Sequence, residues 1–168
     1  MTTTMTSNTN LSPIELARSI CTEGITLTAQ DRANDALEKY DQVIAEFGLR
    51  RKPEFLRVIA TALYNKGFVL GTQNRSEDAV VAYNQLIERF GKSSDSALMP
   101  FVVKAMRNMA FRFNALGMSE ESAATYEALV EQFGSNKDPE IEAAIAPVRA
   151  FLVERQAALG AIQQAARA

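Results

Sequence analysis

Residues 79–91 read AVVAYNQLIERFG. The apolar side chains Ala79, Val80, Tyr83, Leu86, Ile87 and Phe90 recur at three- and four-residue steps, the stripe of an amphipathic helix. The same pattern stands twice more, as ALEKYDQVIAEFG at 36–48 and SAATYEALVEQFG at 122–134. Tyr40, Tyr83 and Tyr126 are 43 residues apart, and so are Phe47, Phe90 and Phe133. Upstream the offset holds for Ile20, Leu63 and Met106, for Gly24, Gly67 and Ala110, and for Ile25, Phe68 and Phe111. Ala115-Leu116-Gly117 returns as Ala158-Leu159-Gly160. One offset kept over so many apolar positions marks an internal repeat.

Each unit reads as two helices. In the middle unit, Leu56, Ile59, Ala60, Leu63, Gly67 and Leu70 form the stripe of a first helix starting near Pro53, where a residue without an N–H is at home. Asp138 and Pro139 repeat that start as N-cap and first helical residue, and Asp95 holds the matching place in the third unit. Residues 71–75 form a polar turn. Ser76, Glu77 and Asp78 then open the second helix, their acidic groups facing its positive end. Gly91 ends it, as expected for a left-handed cap. No stretch alternates with period two, so an all-α fold is expected. The helices fall at about 11–29, 33–47, 53–71, 76–90, 96–116, 119–133 and 139–159. Gln163 and the residues after it read as the start of a further helix. The last full helix, 139–159, caps the third pair, and the Tyr40, Tyr83 and Tyr126 series packs in the core.

Composition narrows the chemistry. The 168 residues hold 18 Lys+Arg and 20 Asp+Glu, with a net charge of -2. This balance does not suit bulk-charge coating of nucleic acid. There is one cysteine, Cys21, and no histidine. An internal disulfide, a multi-cysteine metal site and His-based triads are thereby excluded. No glycine loop of the nucleotide-binding kinds is present, so no cofactor is expected, and no metal. Residues 1–10 are polar and read as a disordered tail, with 11–168 as one domain. No secretory leader or span of about 20 apolar residues is found. The expected compartment is the cytoplasm.

The spacing within each unit resembles the tetratricopeptide repeat family. A small residue in the first helix is followed twelve later by another small one, then by an aromatic and an aliphatic. Here these are Gly24, Ala36, Tyr40 and Val43; Gly67, Ala79, Tyr83 and Leu86; and Ala110, Ser122, Tyr126 and Leu129. The small residues let the two helices cross closely. The resemblance implies a right-handed solenoid of three hairpins plus a C-terminal capping helix. The usual period is about 34, against 43 here, and the surplus lies before each first helix, predicting first helices lengthened at their N-termini. HEAT and armadillo repeats, at about 40–47 residues, are the competing architecture.

The resemblance also implies a peptide groove lined by the first helices. By register, that face carries Arg18, Thr22 and Ile25, then Arg57, Thr61, Tyr64, Asn65 and Phe68, then Lys104, Arg107, Asn108, Phe111 and Asn114. Asn65 and Asn108 fall where the family often carries an asparagine clasping the peptide backbone. The competing reading has them capping turns or bonding to a neighbouring helix, with Arg107 merely solvated. Residues 101–118 carry Lys104, Arg107 and Arg112 and no acid, whereas 119–134 carry Glu120, Glu121, Glu127 and Glu131 and no base. An acidic or C-terminal segment would be drawn to the first-helix face.

The function expected is therefore a non-enzymatic protein-interaction module, with neither nucleic acid nor membrane as partner. Two alternatives stand beside it: a scaffold that self-associates through its end helices, and the repeat region of a larger protein. Arg50-Arg51-Lys52 reads as a helix-end charge complement, and Cys21 as a small packing residue.

Overall fold

The computed structural model describes residues 11–167, and the expected tail at 1–10 lies outside them. It consists of seven helices: α1 (Pro13–Ala29), α2 (Ala33–Phe47), α3 (Pro53–Thr72), α4 (Ser76–Phe90), α5 (Met99–Ala115), α6 (Ser119–Phe133) and α7 (Pro139–Ala165). Successive helices pack as hairpins into an α-solenoid. The odd-numbered helices also touch one another, α1 to α3, α3 to α5 and α5 to α7, whereas α2, α4 and α6 touch only odd-numbered neighbours. The odd layer is thus drawn together and the even layer splayed, which bends the stack with the odd helices on its inner side.

Local chemistry sets the helix starts. Ser12 closes a capping box on α1, its Oγ accepting from the Glu15 N–H while the Glu15 carboxylate accepts from the Ser12 N–H at 2.8 Å. Asp138 caps α7, its Oδ1 accepting from the N–H groups of Glu140 and Ile141 at 2.8 and 3.3 Å. The third unit differs from expectation. Asp95 organises a turn, accepting from Ala97 and Leu98, and α5 begins only at Met99. Pro100 accounts for this: it lacks the N–H that a helix begun at 96 would require there, and it fits the first turn of α5.

The left-handed residues are not the glycines that end the second helices. Gly48, Gly91 and Gly134 all have right-handed dihedrals. A Cβ at these three would stand 2.2, 2.5 and 2.3 Å from the carbonyl oxygen four residues back, so close backbone approach explains the glycine. Positive φ is found instead within the hairpin turns, at Asp31 (60°), Asn74 (60°) and Gly117 (77°), again 43 residues apart. The N–H after each returns to the first helix, from Arg32 to Leu27, Arg75 to Leu70 and Met118 to Phe113. This is the Schellman bond.

The core runs through the stack as one cluster. Tyr40, Ile59, Leu86, Leu98, Ile141 and Ile145 are fully buried. Arg89, Gln132 and Arg149 reach back to the carbonyls of Arg50, Gly91 and Gly134, satisfying acceptors at the ends of the second helices. Helix α7 does not stop near 159. It runs through Gly160 to Ala165, so the expected start of a further helix is its last turns. Ile141, Ala144, Ile145 and Val148 bury its first half, while Val153, Leu159 and Ile162 lie exposed in its second.

Candidate functional site

The inner layer presents one large apolar side chain from each of α1, α3 and α5 at the same register position. Ile25, Phe68 and Phe111 are 45%, 45% and 54% exposed. The residue just before each (Gly24, Gly67, Ala110) is buried among the α2, α4 and α6 crossings, so a helix turns these three away from the core. Arg18 and Arg57 are exposed on either side of a cleft of about 190 Å³ between α1 and α3, with Cys21, Thr22, Ile25 and Thr61. At the other end, Arg107, Phe111 and Asn114 line a cavity of about 260 Å³ between α5, α6 and α7. Asn65 lies half-buried between these places, and among the described residues its amide has no side-chain hydrogen bond.

Between the two openings the inner face is filled. The Tyr64 ring packs 6.2 Å from that of Tyr83 and 6.5 Å from that of Phe101. Asn108 donates through Nδ2 to the hydroxyls of Tyr83 (3.2 Å) and Tyr64 (3.4 Å). Of the two readings of this asparagine, its donors follow the bond to neighbouring helices. Lys104 is ion-paired to Glu140 of α7 at 2.6 Å. Arg112 donates to the Gly71 carbonyl at 2.9 Å and lies over the Phe111 ring, and the missing Cβ of Gly71 gives its guanidinium room. Of the three cations read from residues 101–118, Lys104 is neutralised by an acid and Arg112 is held in place by a carbonyl and a ring. Among the described residues Arg18, Arg57 and Arg107 make no ion pair.

Five lining residues of the α5–α6–α7 cavity lie outside the groove expected from sequence: Ser122, Tyr126, Pro147, Val148 and Phe151. Tyr126, expected in the core with Tyr40 and Tyr83, is half-buried, its ring 5.3 Å from that of Phe151. Ser122 is 2% exposed, and its Oγ has no hydrogen-bond partner among the described residues. The register held the signal. Ser122 stands where the other units have Ala36 and Ala79, and Phe151 where they have Asn65 and Asn108.

Burial also sets the ionisation of the inner face. The Tyr83 phenol is pushed up to about 12 by desolvation, partly offset by the Asn108 hydrogen bond. Desolvation likewise raises Tyr126, against the pull of Arg107. The Cys21 thiol is buried, 4.0 Å from the Val58 carbonyl, and raised to about 11 by desolvation. It is therefore a protonated packing group at neutral pH. Among the described residues no cluster of metal-binding side chains is found, and no helix is long and apolar enough to cross a membrane.

Comparison with known proteins agrees with this architecture. Residues 61–93 match the family model described as tetratricopeptide repeat. The match takes in the C-terminal part of α3 and all of α4; the first turns of α3, from Pro53, precede it. No curated protein matches the chain.

Proposed function

We propose that this tetratricopeptide-repeat chain is a non-enzymatic interaction module that binds an extended segment of a protein partner along its inner, odd-helix face. One observation carries the reading: the row Ile25, Phe68 and Phe111, exposed at one register position on the odd helices α1, α3 and α5. Large apolar groups in a repeated row on the concave side offer a track for a segment that crosses the helices. Arg18, Arg57 and Arg107 flank the row, which favours a segment bearing acidic side chains or a terminal carboxylate. The reading places the protein in the cytoplasm, where a lone thiol stays reduced.

The test is selection of peptides from a random displayed library, followed by variants. Phe68→Ser with Phe111→Ser should abolish capture of the selected peptides while leaving the chain folded, since about half of each ring already lies in water. Glu127→Ala with Glu131→Ala on the outer α6 face should leave capture intact. The reverse pattern would place binding on the even-helix face.

A second reading rests on α7. Leu159 and Ile162 are exposed on one side of the half of this helix beyond its buried stripe, a surface suited to self-association. Light scattering of the chain and of an Ile162→Glu variant separates the two readings. A concentration-dependent dimer lost on substitution supports the second.

A further inference from the structure

The three units share a register, so each place on the inner face can be compared with its counterparts. In the middle unit the space between α3, α4 and α5 is occupied by the Tyr64 ring, against Tyr83 and Phe101, with the Tyr64 hydroxyl accepting from Asn108. One repeat on, Arg107 replaces Tyr64 and Ala144 replaces Phe101. Two rings are lost and one, Phe151, is gained in place of Asn108, and beside Arg107 lies the cavity of about 260 Å³ between α5, α6 and α7. Its walls are aromatic, with Phe111, Tyr126 and Phe151.

Two polar groups in this cavity lack partners. The Ser122 Oγ is buried and unbonded, although its counterparts in the other units are alanines that need no partner. A buried hydroxyl left unpaired is costly, so one placed on a cavity wall has affinity for a ligand group that can hydrogen-bond. Arg107 lines the same cavity and makes no ion pair among the described residues. Lys104 is paired with Glu140 and Arg112 is held on the Gly71 carbonyl, and neither lines the cavity, so Arg107 is the cation placed to meet an incoming anion there.

We propose that this cavity is an anchor pocket for a tyrosine side chain that neighbours an acidic residue in the segment bound along the inner face. The ring fills in trans the slot that Tyr64 fills in cis one repeat earlier, against the edges and faces of Phe111, Tyr126 and Phe151. Its phenol hydroxyl pairs with Ser122 Oγ, and the adjacent carboxylate pairs with Arg107. The inference rests on the inner-face reading and specifies its occupant.

The probes are nonapeptides of glycine and serine with Tyr-Asp at the centre, and their Phe-Asp, Ala-Asp and Tyr-Lys counterparts, titrated against the 15N-labelled chain. Tyr-Asp should shift Ser122, Tyr126 and Phe151 saturably. Phe-Asp should bind roughly three- to tenfold more weakly, as expected for one lost hydrogen bond. Ala-Asp and Tyr-Lys should bind more weakly still. Ser122→Ala, which copies Ala36 and Ala79 and so should fold normally, should erase the preference for Tyr over Phe. Arg107→Tyr, which copies Tyr64, should refill the slot, raise the melting temperature and abolish the Tyr-Asp shifts. Absence of saturable shifts with Tyr-Asp overturns the pocket, as does a Tyr preference that survives Ser122→Ala. Shifts confined to the α1–α3 cleft overturn the pocket but keep the inner face. Shifts confined to α2, α4 and α6 overturn both.

Discussion

Gly67 sits directly against the ring of Tyr83: a Cβ at Gly67 would lie 2.6 Å from Tyr83 Cε1. Gly24 stands in the same relation to Tyr40, at 2.7 Å. Both tyrosines are buried, so neither ring has space to retreat. Gly67→Ala gains about 1 kcal/mol of helix propensity but overpacks the crossing by about 1–3 kcal/mol, so a net loss of up to about 2 kcal/mol is expected. Gly67→Leu should cost more. Urea unfolding of the two variants checks this, and an unchanged midpoint for Gly67→Leu would contradict the packing. The third unit has Ala110 at this place, and there the tyrosine, Tyr126, is only half-buried.

The Asn108 amide ties three helices together through two phenols. Asn108→Ala should cost about 1–3 kcal/mol, because it leaves the buried Tyr83 hydroxyl without its donor. Tyr83→Phe should cost about 1 kcal/mol. In the double variant the costs should not add, and a coupling of about 0.5–1.5 kcal/mol measured in a double-mutant cycle is expected. Asn108 is therefore unsuited to a binding test, since its loss changes the fold.

Stability should fall in alkali. Tyr83 and Cys21 are acids whose charged forms burial disfavours, with values in the fold of about 12 and about 11. Each is raised above its unfolded value, so each contribution is fully present below that value. It is lost as pH rises through the folded one. The window is about pH 9 to 12. Urea midpoints should be level from pH 7 to 8.5 and fall by pH 11, and Cys21→Ala with Tyr83→Phe should flatten the decline. A midpoint that rises with alkali would reverse the assignment.

Gly117 and Gly160 occupy matching places in the 43-residue register but should respond oppositely to alanine. Neither would bring a Cβ within 4 Å of another atom outside its own local backbone. Gly117 has φ of 77°, and Gly117→Ala should cost about 1–2 kcal/mol through the backbone alone. Gly160 lies inside α7, and Gly160→Ala should stabilise that helix by about 0.5–1 kcal/mol. Thermal melts report the first, and helical circular dichroism with amide exchange over 150–165 reports the second.

The helix order was legible because the punctuation is strong. Pro53, Pro139 and Asp138 set starts, and the apolar stripes of the second helices are unambiguous. The Ala158-Leu159-Gly160 echo misled, because Gly117 ends α5 through its left-handed backbone whereas Gly160 keeps a helical one. After Gly117 the chain meets Met118 and the acidic opening of α6; after Gly160 come Ala161, Ile162, Gln163 and Gln164, with no capping residue, and the helix continues. The turn residues Asp31, Asn74 and Gly117 carried their own signal, being the three residue types most tolerant of positive φ at one offset. The inner-face register could be read, but not how its polar groups are used. Lys104 meets Glu140 and Asn108 meets Tyr64 across 36 and 44 residues, and such pairings depend on how far neighbouring helices let side chains reach.

Arg32, Arg75 and Met118 each serve two helices at once. Their N–H closes the helix before, and their carbonyl accepts the first bond of the helix after, from Ala36, Ala79 and Ser122. No slack separates the two arms of a hairpin, so each behaves mechanically as a rigid plate. Compliance is left to the joints at 48–52, 91–98 and 134–138. Rotations at these joints would change the curvature of the whole stack without opening a helical bond, but they work against the continuous core and the Arg89, Gln132 and Arg149 bonds made there, so the molecule holds its curvature as a stiffly sprung strip.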